Sequence, residues 1–136
     1  MKDWIWRWGP AVAIMVIIFI ASATPGSDLP KFGVWDFFAK KGGHMLGYAL
    51  LASAFFHGLN KGGRIKKSQF IAAVCLATLY ALTDEFHQRF TPGRSPSLRD
   101  VGIDTFGAAI GLTLWNWIRR LQRSGVGNRE SESSID

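Results

Sequence analysis

Residues Asp84–Asp104 read DEFHQRFTPGRSPSLRDVGID, a polar stretch set between two apolar runs. It holds four of the chain's ten carboxylates and three of its sixteen cationic side chains, together with His87. Burying unpaired charge is expensive, so polar chemistry wedged between greasy segments requires partners or a purpose. Working outward, the apolar runs lie at Trp4–Ala23, Gly43–Leu59, Gln69–Leu82 and Val101–Ile118. The reading that follows is an all-α, four-helix transmembrane bundle with short loops, capped at one end by this stretch.

The 136 residues leave room for one domain, and the mean hydropathy of +0.10 is intermediate only because the polar residues come in blocks. The domain is expected over 1–123, with helices near 4–23, 43–59, 69–88 and 97–120, and a disordered polar tail over 124–136. Cys75 is the single cysteine, which excludes an internal disulfide. The net charge of +6 comes from short scattered blocks rather than one amphipathic face, which argues against nucleic acid as a partner.

Trp4, Trp6 and Trp8 beside Lys2 and Arg7 suit an interfacial anchor ahead of a spanning helix. A cleaved secretory signal ending at Ala21-Ser22-Ala23 is the competing reading, and the tryptophan flank favours retention. Thr24–Lys41 reads as a loop, with Phe32, Trp35, Phe37 and Phe38 at headgroup level. In the second helix His44, Gly47, Tyr48 and Leu51 share a face. Gly62-Gly63 marks a reversal, and Ala72, Ala73 and Ala77 allow close packing of the third helix. Ser97 is a natural N-cap for the fourth, with Asp100 placed as a capping-box acid. Trp115, Trp117, Arg119 and Arg120 form a second interfacial belt.

A soluble helical bundle would show charged outer faces, yet Phe70–Thr83 contains no charge at all. With four spans, ten lysines and arginines fall on the side of both termini and six on the other. That asymmetry predicts cytoplasmic termini in a multi-pass protein of the bacterial cytoplasmic membrane, with the polar stretch facing outward.

On that outer face the candidate ligand-binding residues are His44, Tyr48, Asp84, Glu85, Gln88, Arg94, Asp100 and Asp104. Asp84 and Gln88 lie one turn apart, as do Asp100 and Asp104. Asp104 sits a turn inside its helix and needs a partner, for which Arg94 or His44 is expected. Arg94 could fork onto a phosphate or carboxylate. The alternative is that these charges only lock the helices together. Gly107 and Gly111, with Ala108, let the fourth helix approach a neighbour closely. No HExxH motif or cysteine pair marks a metal site, and no cofactor is expected.

These residues carry a resemblance. The Ser22-x-x-Pro25 step, Lys41-x-x-His44-x-x-x-Tyr48, and Asp84-Glu85, Gln88, Phe90, Pro92-Gly93-Arg94, Ser97, Asp100, Gly107 and Gly111 together resemble the VanZ-like family of small polytopic bacterial membrane proteins. Asparagine is frequent in that family where this chain has Asp104. The resemblance implies an envelope protein, since founding members are associated with tolerance of glycopeptides, teicoplanin above all. The function expected is binding of a lipid-linked or headgroup ligand, such as a lipid-linked cell-wall precursor or an anionic lipid. A membrane-embedded hydrolase or transferase and a small transporter or channel subunit are the alternatives.

Overall fold

The computed structural model describes residues 2–25, 36–60 and 66–132, with side chains described over 2–25, 41–60 and 66–122. Four helices account for these residues: α1 (Lys2–Ala23), α2 (Asp36–Leu59), α3 (Lys67–Gln88) and α4 (Leu98–Glu132). No strand occurs among the described residues. The loop aromatics Phe32 and Trp35 and the Gly62-Gly63 reversal lie outside them.

Two boundaries differ from expectation. α2 begins at Asp36 rather than near Gly43, so Phe37 and Phe38 belong to its first turn. No proline interrupts the run from Asp36 onward; Gly42 and Gly43 weaken it without stopping it. α4 continues to Glu132, past the Ser124 start expected for the tail. Extending a formed helix adds a hydrogen bond per residue without a new nucleation cost, and no proline follows Pro96.

The helices alternate in direction. At one end, Arg7 Nη2 on α1 donates to the Gly58 carbonyl of α2 at 2.6 Å. Trp8 covers Gly58 so closely that a Cβ there would come within 2.8 Å of the ring. Midway, the Tyr80 hydroxyl of α3 donates to Met15 O on α1 at 2.6 Å, and Thr78 and Thr105 join α3 to α4 at 3.1 Å. α2 and α4 run parallel in close contact, with Gly107 against Met45 and Gly111 against Ala49. The close approach read from the glycine pair is therefore made, and α2 is the neighbour. α3 turns Ala73, Ala77 and Ala81 inward at one-turn intervals, while Ala72 is half-buried. Tyr48, Leu51, Phe55, Phe56 and Leu112 fill the remaining core.

The outer surface is apolar as well. Ile17, Leu46, Ile71, Leu79, Phe106 and Leu114 are all exposed. α1 and α3 are each long and apolar enough to cross a membrane, and only 17% and 28% of their apolar windows are buried within the bundle. A soluble helix of this length would carry charge on its outer face.

Candidate functional site

The last turn of α3 delivers three polar side chains, and its neighbours decide where each one goes. Asp84, Glu85 and Gln88 are 4%, 7% and 5% exposed. Asp84 Oδ2 accepts from Ser22 Oγ at 2.7 Å and from Gln88 Nε2 at 3.0 Å. Gln88 Nε2 also reaches Ser22 Oγ at 3.3 Å. Asp84 and Gln88 thus share a face, as their spacing predicts, and Ser22 closes the triad from the last turn of α1.

The other Asp84 oxygen, Oδ1, is buried without a hydrogen-bond partner, and so is the hydroxyl of Tyr48. Tyr48 is only 1% exposed and its hydroxyl lies beside the Asp84 carboxylate. A buried polar atom left unpaired costs about 1–3 kcal/mol. Here the donor and the acceptor face each other, and each has no other partner within the protein.

Glu85 turns away from this triad toward α4. Its Oε2 accepts from the Ser97 backbone N–H at 2.8 Å. Ser97 is the N-cap as expected, its hydroxyl accepting from Arg99 N at 3.1 Å. The reciprocal acid of the capping box is not Asp100, however, because Glu85 already occupies the N–H that Asp100 would take. Asp100 instead pairs with Lys41 of α2. A cavity of about 160 Å³, lined in part by Glu85, Phe86, Arg89 and Ser97, opens beside this junction.

Asp104 is 3% exposed and faces His44 Nδ1 at 3.9 Å. Of the two partners expected for it, the structure supplies the imidazole. Arg94 goes elsewhere. Thr91–Arg94 forms a β-turn closed at 3.2 Å, with Pro92 and then Gly93 at φ 72°, the type II pattern that requires glycine at its third position. This turn aims the guanidinium at α1, where Nη2 donates to Ala21 O at 2.7 Å and Nε to Thr24 O at 3.3 Å. Those carbonyls belong to the unsatisfied C-terminal end of a helix, where a cation is also favoured by the dipole. Arg94 is a clamp on α1. Arg94→Ala should lower stability by about 1.5–3 kcal/mol, the range for hydrogen bonds to charged groups. Hydrogen exchange should rise at Ala21–Thr24, and an unchanged exchange pattern there would refute the clamp.

The cluster therefore gathers His44, Tyr48, Asp84, Gln88 and Asp104 inside, with Glu85 and Asp100 toward α4 and Arg94 at the α1 edge. His44 is within electrostatic range of Asp84, Asp100, Lys41 and Arg94, and Asp104 is within range of the other three carboxylates. Four carboxyl groups stand there against two fixed cations, Lys41 and Arg94. Ser22 and Lys41 were missing from the residues expected at the site. Ser22 was legible as a hydroxyl at the outer end of α1 facing a carboxylate-rich end, and Lys41 as the cation three residues before His44. Among the described residues, no three His, Cys, Asp or Glu side chains are grouped so as to hold a metal ion.

Four helices, two of them candidate membrane spans, with a buried polar cluster at one end, define a small helical protein of membrane-associated type. The chain belongs to the VanZ/LLP1 family, whose model matches residues 8–119. That range contains every residue of the cluster. No curated protein and no solved structure matches the chain.

Proposed function

We propose that the chain is a four-span protein of the bacterial cytoplasmic membrane that binds the headgroup of a lipid-linked ligand at its outward polar end. The lysine and arginine asymmetry supports this orientation, with both termini in the cytoplasm. The apolar side chains on the outside of all four helices support embedding.

The observation that carries the binding reading is the buried pair Tyr48 Oη and Asp84 Oδ1, a donor and an acceptor with no partner beyond each other. Two polar groups buried with so few partners are kept at some cost to stability, and a ligand that hydrogen-bonds to them can recover it. The carboxylate surplus favours a ligand that brings donors, either hydroxyls or an ammonium group. Arg94, whose guanidinium is engaged with α1, is not the anchor in this reading. Glycopeptide tolerance would follow if the ligand is the lipid-linked cell-wall precursor that those drugs also recognise.

Tyr48→Phe separates fold from function. It removes a hydroxyl whose one protein partner is Asp84 and keeps the ring in the core, so the fold should survive with a thermal midpoint close to wild type. Binding of lipid-linked precursor, or of phosphatidylethanolamine, to protein in nanodiscs should fall at least tenfold, on the order of 1.4 kcal/mol. Equal binding by wild type and variant to both probes would overturn the proposal. In intact cells, a cysteine at Ser95 should be labelled from outside and one at Lys66 should not; the reverse pattern would invert the orientation.

A further inference from the structure

A second concave site lies at the opposite end of the bundle, on residues the polar cluster does not use. Lys67 and Phe70 of α3 and Thr113, Asn116, Trp117 and Arg120 of α4 line a cavity of about 290 Å³. Among the described residues, no carboxylate lines it. Lys67 stands in the first turn of α3, which has no acidic residue, so the positive end of the helix dipole adds to the two cationic side chains. Phe70 and Trp117 form an apolar wall, and Trp117 belongs to the aromatic belt of this end.

The observation that points to a ligand is Asn116. The residue is 7% exposed, yet its Oδ1 has no hydrogen-bond partner. None of the donors that share this lining reaches the amide oxygen, which leaves it open to a donor from an occupant of the cavity.

We propose that this cavity binds the headgroup of an anionic phospholipid, with the phosphodiester held by Lys67 and Arg120 and a headgroup hydroxyl donating to Asn116 Oδ1. A glycerol-type headgroup supplies both groups on one short chain. Its glyceryl backbone lies against Phe70 and Trp117, contacts that a free phosphate cannot make. The volume sits at the small end of ligand pockets, which fits a headgroup and not a whole lipid. The inference rests on the bundle being membrane-embedded with this end in the cytoplasmic leaflet. It is independent of what the outer cluster binds.

The test is lipid retention by the full chain, read by native mass spectrometry after release from nanodiscs. Phosphatidylglycerol should be retained at least tenfold over phosphatidylcholine. Lys67→Gln combined with Arg120→Gln should abolish that preference, while Arg120→Lys should keep most of it. Asn116→Leu keeps the charges and removes the acceptor. It should therefore weaken retention of phosphatidylglycerol several-fold and leave phosphatidic acid, which has no headgroup hydroxyl, unchanged. Equal retention of phosphatidylglycerol and phosphatidylcholine by the wild type would overturn the site, as would an unaltered preference in the double variant. Displacement of phosphatidylglycerol by millimolar inorganic phosphate would show that a free anion suffices and would overturn the lipid assignment. A wild type that does not remain in nanodiscs would sink the embedded reading itself. Loss of Tyr48-dependent binding at the outer end would leave this site standing.

Discussion

Gly111→Leu is expected to prevent assembly of the bundle, and Gly107→Ala to destabilise it by about 1–3 kcal/mol, the usual cost of overpacking. α2 and α4 are in contact through backbone at these two positions. A Cβ on Gly107 would press into Met45, including its carbonyl oxygen, and one on Gly111 would meet the Cβ and Cα of Ala49. Neither obstacle is the far end of a flexible side chain, so relief requires the two helices to separate. Separation would also pull Asp104 from His44 and Asp100 from Lys41, because both pairs bridge α2 and α4. Opposing this, alanine is intrinsically favoured over glycine in a helix by about 1 kcal/mol, which the clash must overcome. Gly102→Ala provides the matched control. It lies in the same helix, a Cβ there would meet nothing within 4 Å, and the propensity gain should appear undiminished. Thermal midpoints in detergent, with chromatographic homogeneity, decide the matter. Gly107→Ala behaving like Gly102→Ala would refute the close approach.

Asp84→Ala should be the most damaging single change in the polar cluster, and Asp84→Asn a much milder one. The alanine variant removes the acceptor for Ser22 Oγ and for one contact of Gln88 Nε2, leaving buried donors short of a partner. At about 1–3 kcal/mol for each unsatisfied group, the loss should reach about 2–5 kcal/mol. It should also free the end of α1, since Ser22 is 62 residues from Asp84 in sequence and this bond holds α1 to α3. Asparagine keeps one oxygen for both donors and turns an amide toward Tyr48, whose hydroxyl can then accept. Its fold should therefore survive while ligand binding falls, because the second acceptor oxygen is gone. An alanine variant within about 0.5 kcal/mol of wild type, the range of ordinary surface changes, would show that the triad does not hold the bundle.

The elements that were legible in the sequence are those governed by neighbours along the chain. Residues one turn apart must share a face, which placed Asp84 beside Gln88. A serine just ahead of a helix offers its hydroxyl to the next free N–H groups, which placed Ser97 as the cap. Pro92-Gly93 forms its turn for reasons internal to four residues. Apolar runs bounded by polar blocks marked all four helices, although their ends slipped at Asp36 and Glu132, where propagation outran the composition signal.

Partner choice between helices was not legible in the same way. Arg94 had a nearby carboxylate in sequence and took α1 carbonyls instead. Asp100 looked like a capping acid, but Glu85, twelve residues before Ser97, reached that N–H first. Each side chain had several chemically adequate partners, and only the positions of the helix ends decided which came within hydrogen-bond distance.

The polar stretch Asp84–Asp104 shows the division within one segment. By itself the sequence determined that it forms two acid-bearing helix ends around a glycine turn, because those features depend on local periodicity and backbone sterics. Only the tertiary structure decided that Arg94 leaves the cluster, that Ser22 enters it, and that Tyr48 and Asp84 face each other in the interior. Those outcomes depend on packing between segments far apart in the chain, where hydrogen-bond reach of about 3 Å is far finer than sequence spacing can resolve.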